Sequence, residues 1–124
     1  MLLDLKKSLD FKKITDERGL LTVINQIPNF LVNRLYLIEP SLGMWRGNHY
    51  HKISQQTICV LEGNFECKVT KESQIETFQI KPGDIFFQEK NVIFEFCAIT
   101  EVSKLLILCD KEFDKNDYYS KEII

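Results

Sequence analysis

The sequence predicts an all-β protein built as one barrel or sandwich, and two observations favour it. Short runs rich in β-branched and aromatic residues, separated by turn residues, recur from about residue 20 to about residue 109. No segment shows a sustained apolar period of 3.6 residues, which an amphipathic helix would need. Strands at such regular spacing, with no helices between them, favour a sandwich or a closed barrel over a parallel sheet.

The candidate strands are short and follow one another closely. Two connecting turns, Glu62–Asn64 and Lys81–Asp84, hold a glycine where a tight turn needs a positive φ. The more polar stretch 113–124 is expected to be irregular or to form one or two helical turns packed across the barrel. The predicted strands are Leu20–Asn25, Leu31–Ile38, Trp45–Lys52, Thr57–Leu61, Phe65–Thr70, Ile75–Ile80, Asp84–Gln88, Val92–Cys97 and Lys104–Cys109.

Length and charge limit the classes of protein. A chain of 124 residues with 44% hydrophobic content suits one core, so residues 1–124 are predicted to form a single domain. The 16 basic and 18 acidic residues are spread along the chain, which argues against a nucleic-acid surface. Asp4, Lys6 and Lys7 interrupt the first apolar stretch, and no later segment could span a bilayer, so we expect a cytoplasmic protein without a membrane partner.

The four cysteines all lie within apolar, strand-like runs. None belongs to a C-x-x-C pair of the kind that binds zinc or cycles redox equivalents. We therefore expect small core residues in a reducing compartment. They are Cys59, Cys67, Cys97 and Cys109.

The only two histidines, His49 and His51, are one residue apart in the predicted strand Trp45–Lys52. Alternate residues of a strand share a face, so both imidazoles point the same way. If that face is the barrel interior, two nitrogen bases meet in a sheltered pocket, a costly arrangement unless function or hydrogen bonding requires it. The alternative is a chance pair of surface histidines.

An H-x-H pair on a barrel strand is typical of a metal site completed by a glutamate a few residues on and a third histidine from a later strand. Here Gln55 and Gln56 occupy the glutamate position and no third histidine exists, although a carboxylate such as Glu95 could still contribute. Catalytic metals normally need three or more protein ligands, so no metal is predicted. Paired imidazoles suit proton transfer instead: removal of a proton α to a carbonyl and its return to the neighbouring carbon.

Only three of the 16 basic residues are arginines, namely Arg18, Arg34 and Arg46, and all lie in the first 46 residues. Each could supply a planar fork for a phosphate or an enediolate, or else a surface ion pair. Arg34 and Tyr36 share one strand face. Arg46 joins the face of the imidazoles only if a bulge at Gly47–Asn48 shifts the phase of the strand.

These segments together resemble the sugar-nucleotide 3,4-ketoisomerases, small cupins of the WxcM-like group that act on dTDP-4-keto-6-deoxyglucose. The most specific part is R-G-x-H-x-H-K with a glutamine four residues after the lysine, here Arg46–Lys52 and Gln56. Supporting matches cover most of the chain and are Ile14–Leu21, Ile27–Phe30, Arg34–Tyr36 and, more weakly, Phe113–Tyr119.

The resemblance implies a homodimer of cupin (double-stranded β-helix) barrels that needs neither metal nor cofactor. It implies conversion of a dTDP-linked, or alternatively UDP-linked, 4-keto-6-deoxyhexose to its 3-keto isomer through an enediolate, in deoxyaminosugar synthesis for surface glycans such as lipopolysaccharide or S-layer glycan. His51 is assigned the proton transfer between carbons and His49 that between oxygens. The remaining implied residues are Tyr36 in catalysis and Arg34, Arg46, Lys52, Gln56 and Arg18 in substrate binding.

Three departures from the family pattern bear on the substrate rather than on the fold. Tyr50 replaces a usual alanine, Ile93–Phe94 lacks a tryptophan that many relatives have, and Ile27–Phe30 is one residue longer. The string R-G-N-H-Y-H is also similar to cupin domains of capsule-sugar epimerases and reductases, which act on UDP-linked sugars and can hold zinc. Two alternative functions therefore stay open: a C3 or C5 epimerase of a nucleotide-linked 4-keto sugar, and a non-catalytic sugar-nucleotide-binding cupin.

Overall fold

The computed structural model describes residues 10–25 and 30–120, and these residues are mostly β-structure. A short 3₁₀ turn at Lys115–Asp117 is the helical segment of this part of the chain, and no helix in it is long and apolar enough to cross a bilayer. The all-β prediction is confirmed. The strands are β1 (Asp10–Asp16), β2 (Gly19–Asn25), β3 (Arg34–Ile38), β4 (Trp45–Arg46), β5 (His49–Tyr50), β6 (Gln56–Glu62), β7 (Phe65–Lys71), β8 (Gln74–Ile80), β9 (Ile85–Gln88), β10 (Val92–Ala98), β11 (Lys104–Cys109) and β12 (Tyr119–Ser120).

Two antiparallel four-stranded sheets form the body of the molecule, in the orders β4-β10-β7-β8 and β3-β11-β6-β9. In β11 the buried Leu105, Ile107 and Cys109 alternate with partly exposed residues. This period of two is typical of a sheet with one face on the core. The buried side chains of both sheets meet in one cluster that includes Ile58, Val60, Phe65, Val69, Phe86, Val92, Phe94, Phe96, Leu105 and Ile107.

The predicted strands are present, with two revisions. The run Leu31–Ile38 becomes a strand only from Arg34, and the run Trp45–Lys52 splits into β4 and β5, so His51 follows the end of a strand. Strands β1 and β12 were missed. Strand β1 mixes charged and apolar residues and forms by pairing with β2, while β12 has only two residues, paired with β5. Such pairing depends on tertiary context more than on local composition.

Both predicted glycine turns are confirmed. Gly63 has a φ of +74°, and an added Cβ would lie 2.3 Å from the carbonyl oxygen of Val102. Gly83 has a φ of +91° in a turn that the amide of Asp84 closes by donating to the carbonyl of Lys81 at 3.0 Å. Left-handed φ values strain side-chain-bearing residues, so each turn needs its glycine.

Strands β1 and β2 form a separate hairpin that pairs with neither four-stranded sheet. The register places Ile14 opposite Leu21, and Val23 shares their face; all three are exposed. Strand β3 lies at a sheet edge and presents Leu35 and Leu37 outward, 61% and 55% exposed. Among residues 10–25 and 30–120, two apolar surfaces are therefore exposed, which is unusual for a monomeric protein.

All four cysteines are free and buried, as predicted for core residues. Burial raises the pKa of Cys59, Cys67 and Cys109 above the ordinary thiol value. These thiols stay protonated near neutral pH, so they pack as small apolar groups and are poor nucleophiles.

Candidate functional site

A cavity of about 440 Å³ opens between the two sheets. Its apolar wall comes from core strands and includes Ile38, Ile58, Phe94, Phe96 and Ile107. A small set of polar side chains converges on this wall, as in sites that orient a bound small molecule. These are Arg34, Tyr36, Arg46, His49, Gln56, Gln88 and Tyr118.

Gly47 interrupts the segment that carries the histidines. It has a φ of +91°, and the amide of His49 donates to its carbonyl at 2.7 Å. Strand β4 pairs with β10, whereas β5 leaves that sheet and pairs with β12. Arg46 and His49 are three residues apart and both line the cavity, although they would face opposite sides of a continuous strand. The condition set by the sequence, a change of phase at Gly47–Asn48, is therefore met.

The two imidazoles come together as the sequence predicted, although His51 lies just beyond the strand. Their ring centroids are 5.2 Å apart and the rings meet edge to face. His49 is half-buried and lines the cavity, while His51 is 5% exposed and lies behind it, against a small polar cleft. The intervening Tyr50 points the other way, is buried and stacks on Tyr119.

Both imidazoles are neutral bases at pH 7. Burial lowers the pKa of His49 below its ordinary 6.5, and the neighbouring His51 and Arg46 lower it further. Burial also lowers the pKa of His51; the carbonyl and carboxylate of Asp117 oppose this shift without reversing it, and Arg34 adds to it. A neutral imidazole has a free lone pair on one nitrogen and can take a proton.

Tyr36 is tied to the cavity floor by a chain of hydrogen bonds. Its hydroxyl donates to Gln56 Oε1 at 2.7 Å, and Gln56 Nε2 donates to Gln88 Oε1 at 2.7 Å. Gln88 Nε2 donates onward to the carbonyl of Val92 at 2.8 Å, and the thiol of Cys109 also reaches Gln56 Oε1 at 3.2 Å. Burial raises the pKa of Tyr36, so Tyr36 stays a neutral phenol that can accept a hydrogen bond from a ligand.

Arg34 packs among aromatic rings at the same cavity. Its guanidinium carbon lies 4.7 Å from the ring centre of Tyr36 and 5.5 Å from that of Phe113, and one terminal nitrogen donates to the Tyr118 hydroxyl at 3.3 Å. Its Nε is buried and has no hydrogen-bond partner within residues 10–25 and 30–120. Arg34 lines the cavity, so its guanidinium can offer a planar fork to an anionic oxygen there.

The segment after β11 closes the site from the outside. Tyr118 lies over both imidazoles, with ring centroids 4.9 Å from His49 and 4.6 Å from His51. The preceding residue, Asp117, is buried and lies against His51. The sequence patterns did not indicate four further residues of the site, Tyr118, Asp117, Phe113 and Gln88. The signal for the first three was the weak family match at Phe113–Tyr119.

The structure brings Arg34, Tyr36, Arg46, His49 and Gln56 to one cavity, with His51 directly behind. It does not bring Lys52 or Arg18 there. The alternation of the chain turns Lys52 away, and its ammonium lies 4.5 Å from the ring centre of Tyr119. Arg18 lies at the tip of the β1–β2 hairpin, where it is highly exposed and pairs with Asp16 at 2.7 Å. Substrate binding by these two residues stays a prediction.

The donor set of the site does not fit a catalytic metal. Within the described ranges, no three His, Cys, Asp or Glu side chains are placed to hold one ion. Gln56 stands at the position where a glutamate would complete a metal site, and its amide group is already hydrogen-bonded to Tyr36 and Gln88. Glu95 lies between the cavity-lining Phe94 and Phe96 and so belongs to the opposite face of β10. Two imidazoles alone fall short of the usual three ligands.

Two antiparallel sheets around an interior cavity, with a pair of imidazole bases at its edge, form a small cupin-type barrel, a fold that the chain shares with solved sugar ketoisomerases and epimerases. A family model described as FdtA, WxcM-like, C-terminal, matches residues 5–122. The chain therefore belongs to the FdtA family of WxcM-like domains, as the sequence motifs predicted.

Individual relatives agree with this assignment. A TDP-4-oxo-6-deoxy-alpha-D-glucose-3,4-oxoisomerase from Aneurinibacillus thermoaerophilus is 28% identical in an alignment of length 116 that covers 90% of this chain and 84% of the relative. The structure of QdtA, a sugar 3,4-ketoisomerase from Thermoanaerobacterium thermosaccharolyticum in complex with TDP, is 26% identical with a TM-score of 0.76, over 90% of this chain and 87% of the other. WlaRB, a TDP-quinovose 3,4-ketoisomerase from Campylobacter jejuni, shares the fold with a TM-score of 0.77 at 24% identity, over 94% and 95% of the two chains.

Proposed function

We propose that this protein is a 3,4-ketoisomerase that converts a TDP-linked 4-keto-6-deoxyhexose to its 3-keto isomer. The observation that carries the proposal is the pair of neutral imidazoles, 5.2 Å apart, at the edge of a largely apolar cavity with two arginines. The oxoisomerase relative, which acts on TDP-4-oxo-6-deoxyglucose by its name, and the TDP bound in QdtA support the choice of substrate.

The reaction needs only proton transfers. One imidazole takes the proton from C3, and the electron pair of that bond forms the C3–C4 double bond while the C4 carbonyl oxygen gains negative charge. The same imidazole then delivers the proton to C4. The proton of the O3 hydroxyl passes to O4 through the second imidazole, so C3 becomes the ketone and C4 the alcohol. No oxidant enters this balance, so the proposed enzyme is cofactor-independent.

The arginines supply charge where the intermediate needs it. An enediolate carries negative charge on its oxygens, and a fixed cation in a dry cavity stabilises that charge more than bulk water does. Arg34 and Arg46 both line the cavity and can supply this charge. A volume of about 440 Å³ suits the sugar, with the diphosphate toward the open end.

The roles of the two histidines remain part of the proposal. His51 is assigned the carbon step and His49 the oxygen step. Tyr36 contributes as a neutral hydroxyl. Its own proton is donated to Gln56 at 2.7 Å, so its oxygen is left to accept a hydrogen bond from the substrate. The cytoplasmic location, the role in surface-glycan synthesis and a UDP-linked substrate stay predictions of the sequence.

Incubation with TDP-4-keto-6-deoxyglucose tests the proposal through the identity of the product. We expect a TDP-linked 3-keto sugar, read from the ring proton couplings by NMR. A 4-keto product with inverted stereochemistry at C3 or C5 would support the epimerase instead. Tight binding of TDP without any conversion, and with the same result in His49→Asn and His51→Asn variants, would support a non-catalytic binding protein.

We further propose that the protein is a homodimer. The hairpin exposes Ile14, Leu21 and Val23 on one face, and the sheet edge at β3 exposes Leu35 and Leu37. Strand β3 also carries backbone hydrogen-bonding groups on its open edge. A second copy of the chain offers both matching surfaces at once, and an isologous pair would cover the hairpin and the edge of each copy.

If the protein is this dimer, one lysine placed in the interface should separate the two copies. Leu37→Lys is expected to halve the molar mass measured by light scattering after gel filtration, because it places an ammonium in the covered surface. Val102→Lys is the matched control: Val102 is 66% exposed in the turn before β11 and should leave the mass unchanged. A wild-type protein that elutes as a monomer at micromolar concentration would contradict the dimer.

A further inference from the structure

The 3₁₀ turn at Lys115–Asp117 carries a buried carboxylate that has no part in the proton transfers of the proposed reaction. Asp117 is 4% exposed. Its Oδ1 accepts hydrogen bonds from the amides of Lys52 and Ile53 at 2.9 and 3.0 Å, and its Oδ2 accepts one from the amide of Ser54 at 3.0 Å. Three consecutive amides on one carboxylate amount to an anchor for the chain immediately after His51.

The same residue holds the imidazole of His51. The carbonyl oxygen of Asp117 lies 2.7 Å from His51 Nδ1, and its Oδ2 lies 3.7 Å from the same nitrogen. A carbonyl oxygen can only accept, so the hydrogen of a neutral His51 sits on Nδ1. The unprotonated nitrogen is then Nε2, and this nitrogen is the one left to take a proton from a substrate.

We propose that Asp117 is a positioning residue for His51: its carbonyl fixes the imidazole tautomer, and its carboxylate fixes the loop that aims the ring. The inference rests on the proposed function, because it assumes that His51 is a base. It adds a residue that lies 66 positions away in sequence and has no side-chain contact with the cavity.

The charged and aromatic groups around His51 determine how its pKa responds when the Asp117 carboxylate is removed. Asp117 is the negative group, Arg34 is the positive one, and His49 and Tyr118 are the ring neighbours. Burial raises the pKa of Asp117, but the three amides outweigh burial and hold that pKa below 3.8, so Asp117 is ionised at neutral pH. A negative charge near Nδ1 favours the imidazolium form. Removing it leaves only the backbone carbonyl of residue 117 to oppose burial and Arg34, so the pKa of His51 falls further.

The Asp117→Asn variant tests the assignment in two ways. We expect kcat to fall on the order of 10- to 100-fold, the loss typical for groups that orient a functional imidazole. The acid limb of kcat/KM, where His51 must lose its proton, should move to lower pH. Since the chain has only two histidines, nitrogen-15 NMR of the imidazoles with His49→Asn for assignment reads the tautomer directly. Wild-type His51 should carry its proton on Nδ1, and Asp117→Asn should keep this tautomer, because the backbone carbonyl of residue 117 is retained.

Asp110→Asn is the matched control. Asp110 is also buried, and its Oδ1 accepts from the amide of Gln55 at 2.8 Å, one residue beyond the amides that Asp117 holds. It anchors the same loop without touching His51, so its loss should lower stability yet leave the acid limb and the tautomer unchanged. An equal shift of the acid limb in both variants would overturn the proposal.

The NMR measurement separates this inference from the proposed function. It needs no substrate, so a protein without isomerase activity would still show the Nδ1–H tautomer if Asp117 positions His51. A wild-type His51 protonated on Nε2 would overturn the inference even in an active isomerase. Because it is recorded on the wild-type protein, this spectrum tests the tautomer of His51 even if Asp117→Asn fails to fold.

Discussion

Replacing His51 by asparagine is expected to lower kcat for ketoisomerisation by a factor on the order of 10² to 10⁴, the contribution of a positioned general base. Asparagine cannot take a proton from carbon. Its amide can still donate to the carbonyl of Asp117, which now lies 2.7 Å from His51 Nδ1, so the fold should be kept. Steady-state turnover, together with a thermal melting curve, measures the loss and the state of the fold.

Asn48→Ala is the control for that experiment. Asn48 belongs to the same segment, is exposed and does not line the cavity, so alanine should leave turnover unchanged. Turnover of His51→Asn equal to that of the wild type, with an unchanged melting curve, would contradict the role of His51 as a base.

Gly47→Ala is expected to cost about 2 to 4 kcal/mol of folding free energy and most of the activity, since it combines overpacking with strain at a left-handed φ. The φ at Gly47 is +91°, and an added Cβ would lie 2.2 Å from the carbonyl oxygen of Phe94, in the neighbouring strand β10. The backbone of β4 or β10 must move to relieve this contact. Arg46 and His49, the residues on either side of the break, would then lose their common orientation toward the cavity.

Gly43→Ala separates the two causes. Gly43 also has a left-handed φ, +78°, but an added Cβ would meet nothing within 4 Å. The control should therefore cost only the strain of the left-handed backbone, about 1 kcal/mol, and leave activity intact. Denaturant unfolding of both variants gives the comparison. An equal cost in both would show that the contact with Phe94 does not constrain the site.

The sequence was most informative where local pattern decides structure. The period of two in β11 and the glycine turns at Gly63 and Gly83 were readable because alternation and left-handed turns depend on neighbouring residues. The need for a break at Gly47 was also readable, since Arg46 and His49 are an odd number of residues apart.

Local sequence patterns could not predict contacts between segments that are far apart in the chain. Nothing near His51 indicates that Asp117 holds its Nδ1 or that Tyr118 covers its ring, because these contacts form only after β11 returns the chain to the barrel mouth. The hairpin shows the same limit for Arg18. The sequence left a substrate contact and a surface ion pair both open for Arg18, and pairing of β1 with β2 places it at the hairpin tip, where it pairs with Asp16.

The most direct test of the account is proton NMR of the reaction with TDP-4-keto-6-deoxyglucose in D₂O, after treatment of the protein with a metal chelator. An imidazole that takes the proton from C3 and returns it to C4 predicts a TDP-linked 3-keto product, with deuterium at C4 in those turnovers in which the imidazole exchanges its proton with solvent before the return. A chelated protein that forms no TDP-linked 3-keto product would contradict the account.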